Sequence, residues 1–184
     1  MGAIIAFSGE LAKDIFPSLS KIFPVIVNIV ALVGVFTSFP ALQTFGRKNS
    51  IQYGNALIIL CLFGTARCFG SIDFSSLSDG SVLAKILMML FLLAIRLFYS
   101  ITLGPVVWVY TSEIVQAKVL SFVVLLNWIV IALVNLAFPI QKEWVGGNPE
   151  HIFDFYWIMT LICYLINRYT MIETANKSEI EIRR

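Results

Sequence analysis

Residues 22–46 contain no charged side chain, and neither do residues 49–66 or 119–141. Two further stretches are nearly as apolar: residues 86–112 are interrupted only by Arg96, and residues 155–172 only by Arg168. A hydrocarbon core about 30 Å thick is crossed by roughly 20 helical residues. Inside it every backbone polar group must be satisfied within the protein, which selects helices. Five segments meet or approach that length, so the sequence predicts an all-α integral membrane protein with five transmembrane helices. Composition agrees, because 59% of the 184 residues are hydrophobic and 13% charged. A soluble domain of this size does not bury that much apolar surface.

The expected spans run over about 22–45, 51–69, 83–115, 119–138 and 152–171, and polar links separate them. Ahead of them, residues 2–16 make about 22 Å of helix, too short to cross. Phe7, Leu11, Ile15 and Leu19 recur at every fourth position there, opposite Glu10, Lys13 and Asp14. That stripe suits an interfacial segment or the remaining half of a spanning helix. The expected organisation is one helical bundle over 1–172 and a polar tail over 173–184. Arg47, Lys48, Lys118, Arg168, Lys177, Arg183 and Arg184 fall on one side of the membrane, against Lys13, Lys21, Lys85 and Lys142 on the other. The bias puts the C-terminus on the cytoplasmic side, or on the matrix side in a mitochondrion.

Several classes of function are disfavoured. A net charge of +2 without a Lys/Arg run does not suit nucleic acid. Cys61, Cys68 and Cys163 lie in apolar blocks without metal-ligand spacing, and His151 has no nucleophile or ligand set beside it. No glycine-rich phosphate loop is present. The expectation is a non-enzyme with no metal and no cofactor, whose surroundings are the lipid bilayer and other membrane protein chains.

Three features call for a local explanation. Gly104-Pro105 interrupts the third span; proline removes a hydrogen bond and glycine loosens the turn, so the freed backbone must face protein, a cavity or water. Glu113 ends that span on the side of Arg47, Lys48 and Lys118, where a carboxylate is readily paired. Arg96 lies about 16 Å into the helix from Lys85, near mid-membrane, where a charge costs ~2.5–3.5 kcal/mol without compensation. A partner chain is one source of that compensation. Arg67 and Arg168 lie near enough to span ends for their head groups to reach the interface.

Gly104-Pro105, Trp108 and Glu113-Ile114, with Lys118 five residues after the Glu, resemble the tenth-helix signature of the major-facilitator sugar porters. Gly46-Arg47-Lys48 is similar to that family's basic link between helices eight and nine. Asn127-Trp128 resembles its eleventh-helix Asn-Trp pair, and Glu173-Thr174 with Lys177-Ser178 and Glu181-Ile182 resembles its tail motif. The resemblance implies a partial C-terminal bundle of that fold, from the end of helix seven to helix twelve. It further implies that the Gly-Pro break lets the tenth helix bend during alternating access and that Trp108 lines the sugar cavity. Glu113, Arg47, Lys48 and Lys118 would form a charge network holding the outward-facing state, and Asn127 and Asn28 would be sugar contacts.

The sequence departs from the family where sugar is held. Gly2-Ala3-Ile4 replaces a Gly-Ile-Asn, and Ser100 and Ile131 stand at two further polar contact positions. Buried polar groups set sugar selectivity, so their loss argues against sugar binding. The first expectation is therefore a non-transporting accessory or scaffold subunit of a larger membrane complex, such as an organellar energy-converting assembly, with Arg96 as a partner contact in a mitochondrial inner membrane. The alternative is half of a split or dimeric transporter for a sugar or other small solute, in the plasma membrane.

Overall fold

A computed structural model of the chain describes residues 21–71, 79–144, 149–175 and 177. The amphipathic stripe of residues 2–16 lies outside them. The described residues form six helices: α1 Phe23–Phe45, α2 Arg47–Ser71, α3 Asp79–Ile101, α4 Leu103–Ile114, α5 Ala117–Trp144 and α6 Pro149–Thr170. This is an all-helical, multi-pass membrane architecture consistent with a partial major-facilitator bundle.

Four segments are long and apolar enough to cross a membrane: Phe23–Phe45, Arg47–Ser71, Val82–Ile114 and Ala117–Gln141. The fifth expected span, α6, is 22 residues long but is not among the four. It carries Glu150, His151 and Asp154 in its first turns and Asn167 and Arg168 in its last. Asp154 is paired with Arg67 of α2, so part of the polarity that lowers its hydropathy is neutralised by packing. At 1.5 Å per residue α6 still reaches about 33 Å.

The third span is bent. Pro105 has no N–H to give the carbonyl of Ile101, and α3 stops there while α4 restarts at Leu103. Thr102, between them, has φ −115° and ψ −76°. Its hydroxyl donates to the Phe98 carbonyl at 2.7 Å and its own carbonyl accepts from the Val106 N–H at 3.1 Å. These bonds satisfy the polar groups of Thr102 itself within the protein, as a hydrocarbon setting requires.

Small residues bring the helices together. A Cβ on Gly34 of α1 would sit 2.7 Å from the Ser100 Cβ, and one on Gly54 of α2 would overlap Thr102. On Gly64 it would meet the Phe91 ring at 2.7 Å. Close backbone approach of this kind drives helix association where lipid is as apolar as the side chains. Around those crossings Phe23 and Val27, Ile58, Leu62 and Ala66, Met88, Leu92 and Ile95, and Phe153 form one core from α1, α2, α3 and α6. The outside is also apolar: Val25, Ile29, Leu32, Phe36 and Phe39 line one face of α1 and are all more than half exposed. A face like that belongs against lipid or other helices. In α5 no residue of the most apolar stretch is buried, and near its end Phe138 packs against Ile152.

Candidate functional site

The N-terminus of α2 is electrostatically awkward. Arg47 and Lys48 place two cations where the helix dipole favours anions, and Gly46 has no side chain to cap the free N–H groups. The cap comes from the far end of the chain. Glu173 accepts from the Arg47 N–H through Oε1 at 3.0 Å and from the Lys48 N–H through Oε2 at 3.1 Å. The Ala175 N–H adds a third bond to Oε1 at 3.0 Å. Gly46 permits this: its φ is 76°, and a Cβ there would lie 2.9 Å from the Glu173 carboxylate. Burial alone would raise the Glu173 carboxyl, but the backbone N–H groups of Ala175, Arg47, Lys48 and Thr174 outweigh it and hold it below the ordinary carboxylate range.

A second carboxylate completes the cluster. Glu113, at the end of α4, accepts from Arg47 Nη2 through Oε1 at 2.9 Å and from the Thr174 hydroxyl through Oε2 at 2.6 Å. One turn earlier, the Tyr110 hydroxyl accepts from the Ile172 N–H at 3.3 Å. Met171 and Thr174 are buried here, so the start of the tail is packed into this end of the bundle. The cluster joins α2, α4 and the tail, and α4 is the piece beyond the bend at Thr102.

The structure distributes the other candidate residues unevenly. Lys48 contributes its backbone N–H, and Lys118 is exposed at the start of α5 with no ion pair among the described residues. Gly104 and Pro105 lie in the first turn of α4, just past the bend. Trp108 is 39% exposed on α4. Asn127 is half-buried on α5, and the exposed Asn28 donates to the Pro24 carbonyl of its own helix at 2.9 Å. Arg96 has a buried Nε with no hydrogen-bond partner among the described residues.

Sequence reasoning reached Glu173 and Thr174 only as a tail motif and left out Tyr110. The available signal was two cations opening a helix behind a glycine that cannot cap it. It also left Arg67 at the membrane edge, where the structure pairs it. Arg67 Nη2 donates to both oxygens of Asp154 at 2.6 Å, and Nη1 lies 3.3 Å from Glu150. Trp157 Nε1 donates to Asp154 at 2.8 Å, so this second cluster ties the C-terminus of α2 to the N-terminus of α6.

Two cavities lie between these ends. One of ≈ 290 Å³ is lined by Asn55, Tyr99, Leu103, Tyr156, Met159 and Cys163 among others. Another, of ≈ 410 Å³, shares Asn55 and Leu103 and extends toward Tyr110 and Thr170. Neither includes Trp108, Asn127 or Asn28. Among the described residues no group of His, Cys, Asp and Glu is arranged to hold a metal.

A family model described as "Sugar (and other) transporter" matches residues 1–184. The chain is similar to Hexose transporter 1 of Plasmodium falciparum (isolate 3D7), with 21% identity over 179 residues, covering 95% of this chain and 34% of that protein. It is 24% identical over 192 residues to Facilitated trehalose transporter Tret1 of Drosophila willistoni, covering 100% of this chain and 21% of that protein. It is 25% identical over 187 residues to Hexose transporter HXT14 of Saccharomyces cerevisiae (strain ATCC 204508 / S288c), covering 97% and 31%. The chain thus spans between 21% and 34% of the length of these relatives.

Proposed function

We propose, from the premise that this chain belongs to the Sugar (and other) transporter family, that it forms part of the C-terminal half of a transporter for a sugar or another small neutral solute. In this reading the cluster of Arg47, Glu113, Glu173 and Thr174 is a latch on one end of the transport path. The single observation that carries it is the placement of Glu113: the carboxylate sits beyond the bend at Thr102 while its partners sit on α2 and the tail. A tilt of α4 at the bend would part Glu113 from Arg47. Alternating access needs one end of a bundle to open while the other stays closed, and a charge pair across a bend is a two-state element of that kind.

The named relatives are transporters of hexose and trehalose. They support this reading over the accessory-subunit expectation, which is left with the Arg96 Nε that lacks a partner among the described residues. Transport rather than catalysis is the proposed role, in the plasma membrane, with the bundle over 1–172 completed by further helices. Lys48 and Lys118 add positive potential near the latch without pairing in it, and Trp108 and Asn127 are the proposed solute contacts on α4 and α5.

The test is uptake of radiolabelled glucose and trehalose in cells that lack their own carriers and express the protein in its natural full-length context. Uptake above background is expected, with a drop of at least about tenfold in Glu113→Gln, the scale on which one charge-assisted bond acts. No uptake of either sugar, together with stable co-purification in a larger assembly, would overturn the transporter reading.

A further inference from the structure

The smaller cavity is lined by α2, α3, α4, α5 and α6, and none of its lining residues is charged. Asn55 is its most telling residue. It is 4% exposed, it lies eight residues into α2, about 12 Å from the charged end, and it faces both cavities. Among the described residues its amide makes no hydrogen bond. Its polar atoms are not among the buried ones that lack a partner, so the amide opens onto the cavity and is free to bond a molecule lodged there. Tyr99 lines the same space, and its hydroxyl makes no hydrogen bond among the described residues, although the Arg96 guanidinium acts on it electrostatically. The other polar groups are already engaged: Tyr156 donates to Gln141 Oε1 at 3.1 Å, and Thr160 donates to the Tyr156 carbonyl at 2.8 Å.

We propose that this cavity is a binding site for a neutral, hydroxyl-bearing apolar molecule taken up from the bilayer, held at its hydroxyl by Asn55 and Tyr99. An amide and a phenol offer donors and acceptors to one hydroxyl. With no charged side chain among its lining residues, a charged head group would lose its hydration without a direct ion pair to replace it. Ile58, Leu62, Ile95 and Met159 supply the apolar wall, and ≈ 290 Å³ is near the lower end of small-molecule pockets. The route in lies along α5, whose contacts with α6 among the described residues include the cluster of Phe138, Val134, Ile152 and Tyr156 and the Tyr156–Gln141 bond. This site is separate from the charged latch and does not rest on the transport reading.

Cys163 lines the cavity and is a free, exposed thiol, which supplies a reporter. The experiment uses the full chain in lipid nanodiscs, with Cys61→Ala and Cys68→Ala so that Cys163 is the thiol followed. Its alkylation by N-ethylmaleimide is timed with and without octanol or octanoate. Octanol is expected to slow alkylation several-fold, while octanoate, kept ionised by an alkaline buffer, has little effect. Asn55→Leu should raise the octanol needed for half-protection by about tenfold, the scale of one or two neutral hydrogen bonds. Met159→Trp, which fills the wall, should slow alkylation without octanol, and it keeps the test usable if Asn55→Leu does not fold. The proposal is overturned if Cys163 is unreactive before any alcohol is added, since another part of the protein then covers the site. Equal protection by octanoate, or protection unchanged in Asn55→Leu, overturns it as well, the latter because the amide would then hold only water.

Discussion

The two ends of the bundle each hold an arginine and a pair of carboxylates, and they differ in what those carboxylates connect. At one end Arg67 joins α2 to α6, helices already packed along much of their length, with Phe69 stacked on Phe153 at 5.4 Å beside the pair. At the other end Arg47 and the backbone around it join α2 to the tail and to α4, the piece beyond a break. The first cluster reinforces a contact that apolar packing already makes. The second supplies a contact that packing leaves weak, since Val106 is the sole buried residue of α4 between Leu103 and Ile114. Polar bonds therefore hold α4 where apolar packing is thin, whereas at α6 they reinforce packing that is already extensive.

The sharpest way to break this contrast is to remove one carboxylate from each end. Glu113→Gln should lower solute uptake by at least about tenfold while the protein remains folded, because the loss falls on a bond across the bend. Asp154→Asn should leave uptake within about twofold. If both changes lower uptake equally, the two ends are not different in kind. The next effect in size concerns Gly46. Gly46→Val puts a branched side chain at φ 76° and against the Glu173 carboxylate, with a cost of about 2–3 kcal/mol. It should release the tail, seen as rapid proteolysis near Thr174 in Gly46→Val but not in the unaltered chain.

The fold was largely legible because uncharged blocks of bilayer length leave a chain few options, and links such as Gly46 to Asn49 follow from where those blocks stop. The fifth span, α6, is instructive. The uncharged run from 155 to 167 marked it, and although its hydropathy falls short of the other four, the fold supplies Arg67 as a partner for Asp154. The bend could be read from Pro105 to within one turn, but its location at Thr102 depends on Gly54 giving that residue room. At the latch, Arg47 and Glu113 were legible as opposite charges on one side of the membrane. Lys118, equally well placed by sidedness, lies beyond Val115, whose extended backbone at ψ 150° ends α4, and α5 then carries the lysine away from the cluster. Sidedness narrows the possible partners to one membrane face, and only the turn after α4 decides among them.

Acid should act on the latch through Glu173. Its folded-state carboxyl lies below its unfolded value, so the contribution to stability is complete above the ordinary carboxylate range and is lost as pH falls through the depressed folded value. Tail protection from proteolysis should therefore be flat from neutral pH down to about pH 5 and fall below that. Glu173→Gln should flatten the profile at a lower level of protection. A profile unchanged by that substitution would place the titrating group elsewhere.

Stability orders the remaining two changes. Asp154→Asn leaves an amide that can still accept from Arg67 and Trp157, and the pair is partly exposed, with Arg67 at 48%. The expected loss is about 1 kcal/mol, read as a shift in the denaturant midpoint of the detergent-solubilised protein. Lys118→Ala should do least, within about 0.5 kcal/mol and without effect on tail proteolysis, since an exposed, unpaired side chain on a helix surface contributes little. Its value lies in the contrast with Arg47→Ala, which should both destabilise the chain and release the tail. Two cations on the same membrane face, treated alike by charge counting, would then differ because one is bonded across the bend and the other is not. Equal effects would mean that the positive potential of this face, rather than the Arg47–Glu113 bond, holds α4 in place.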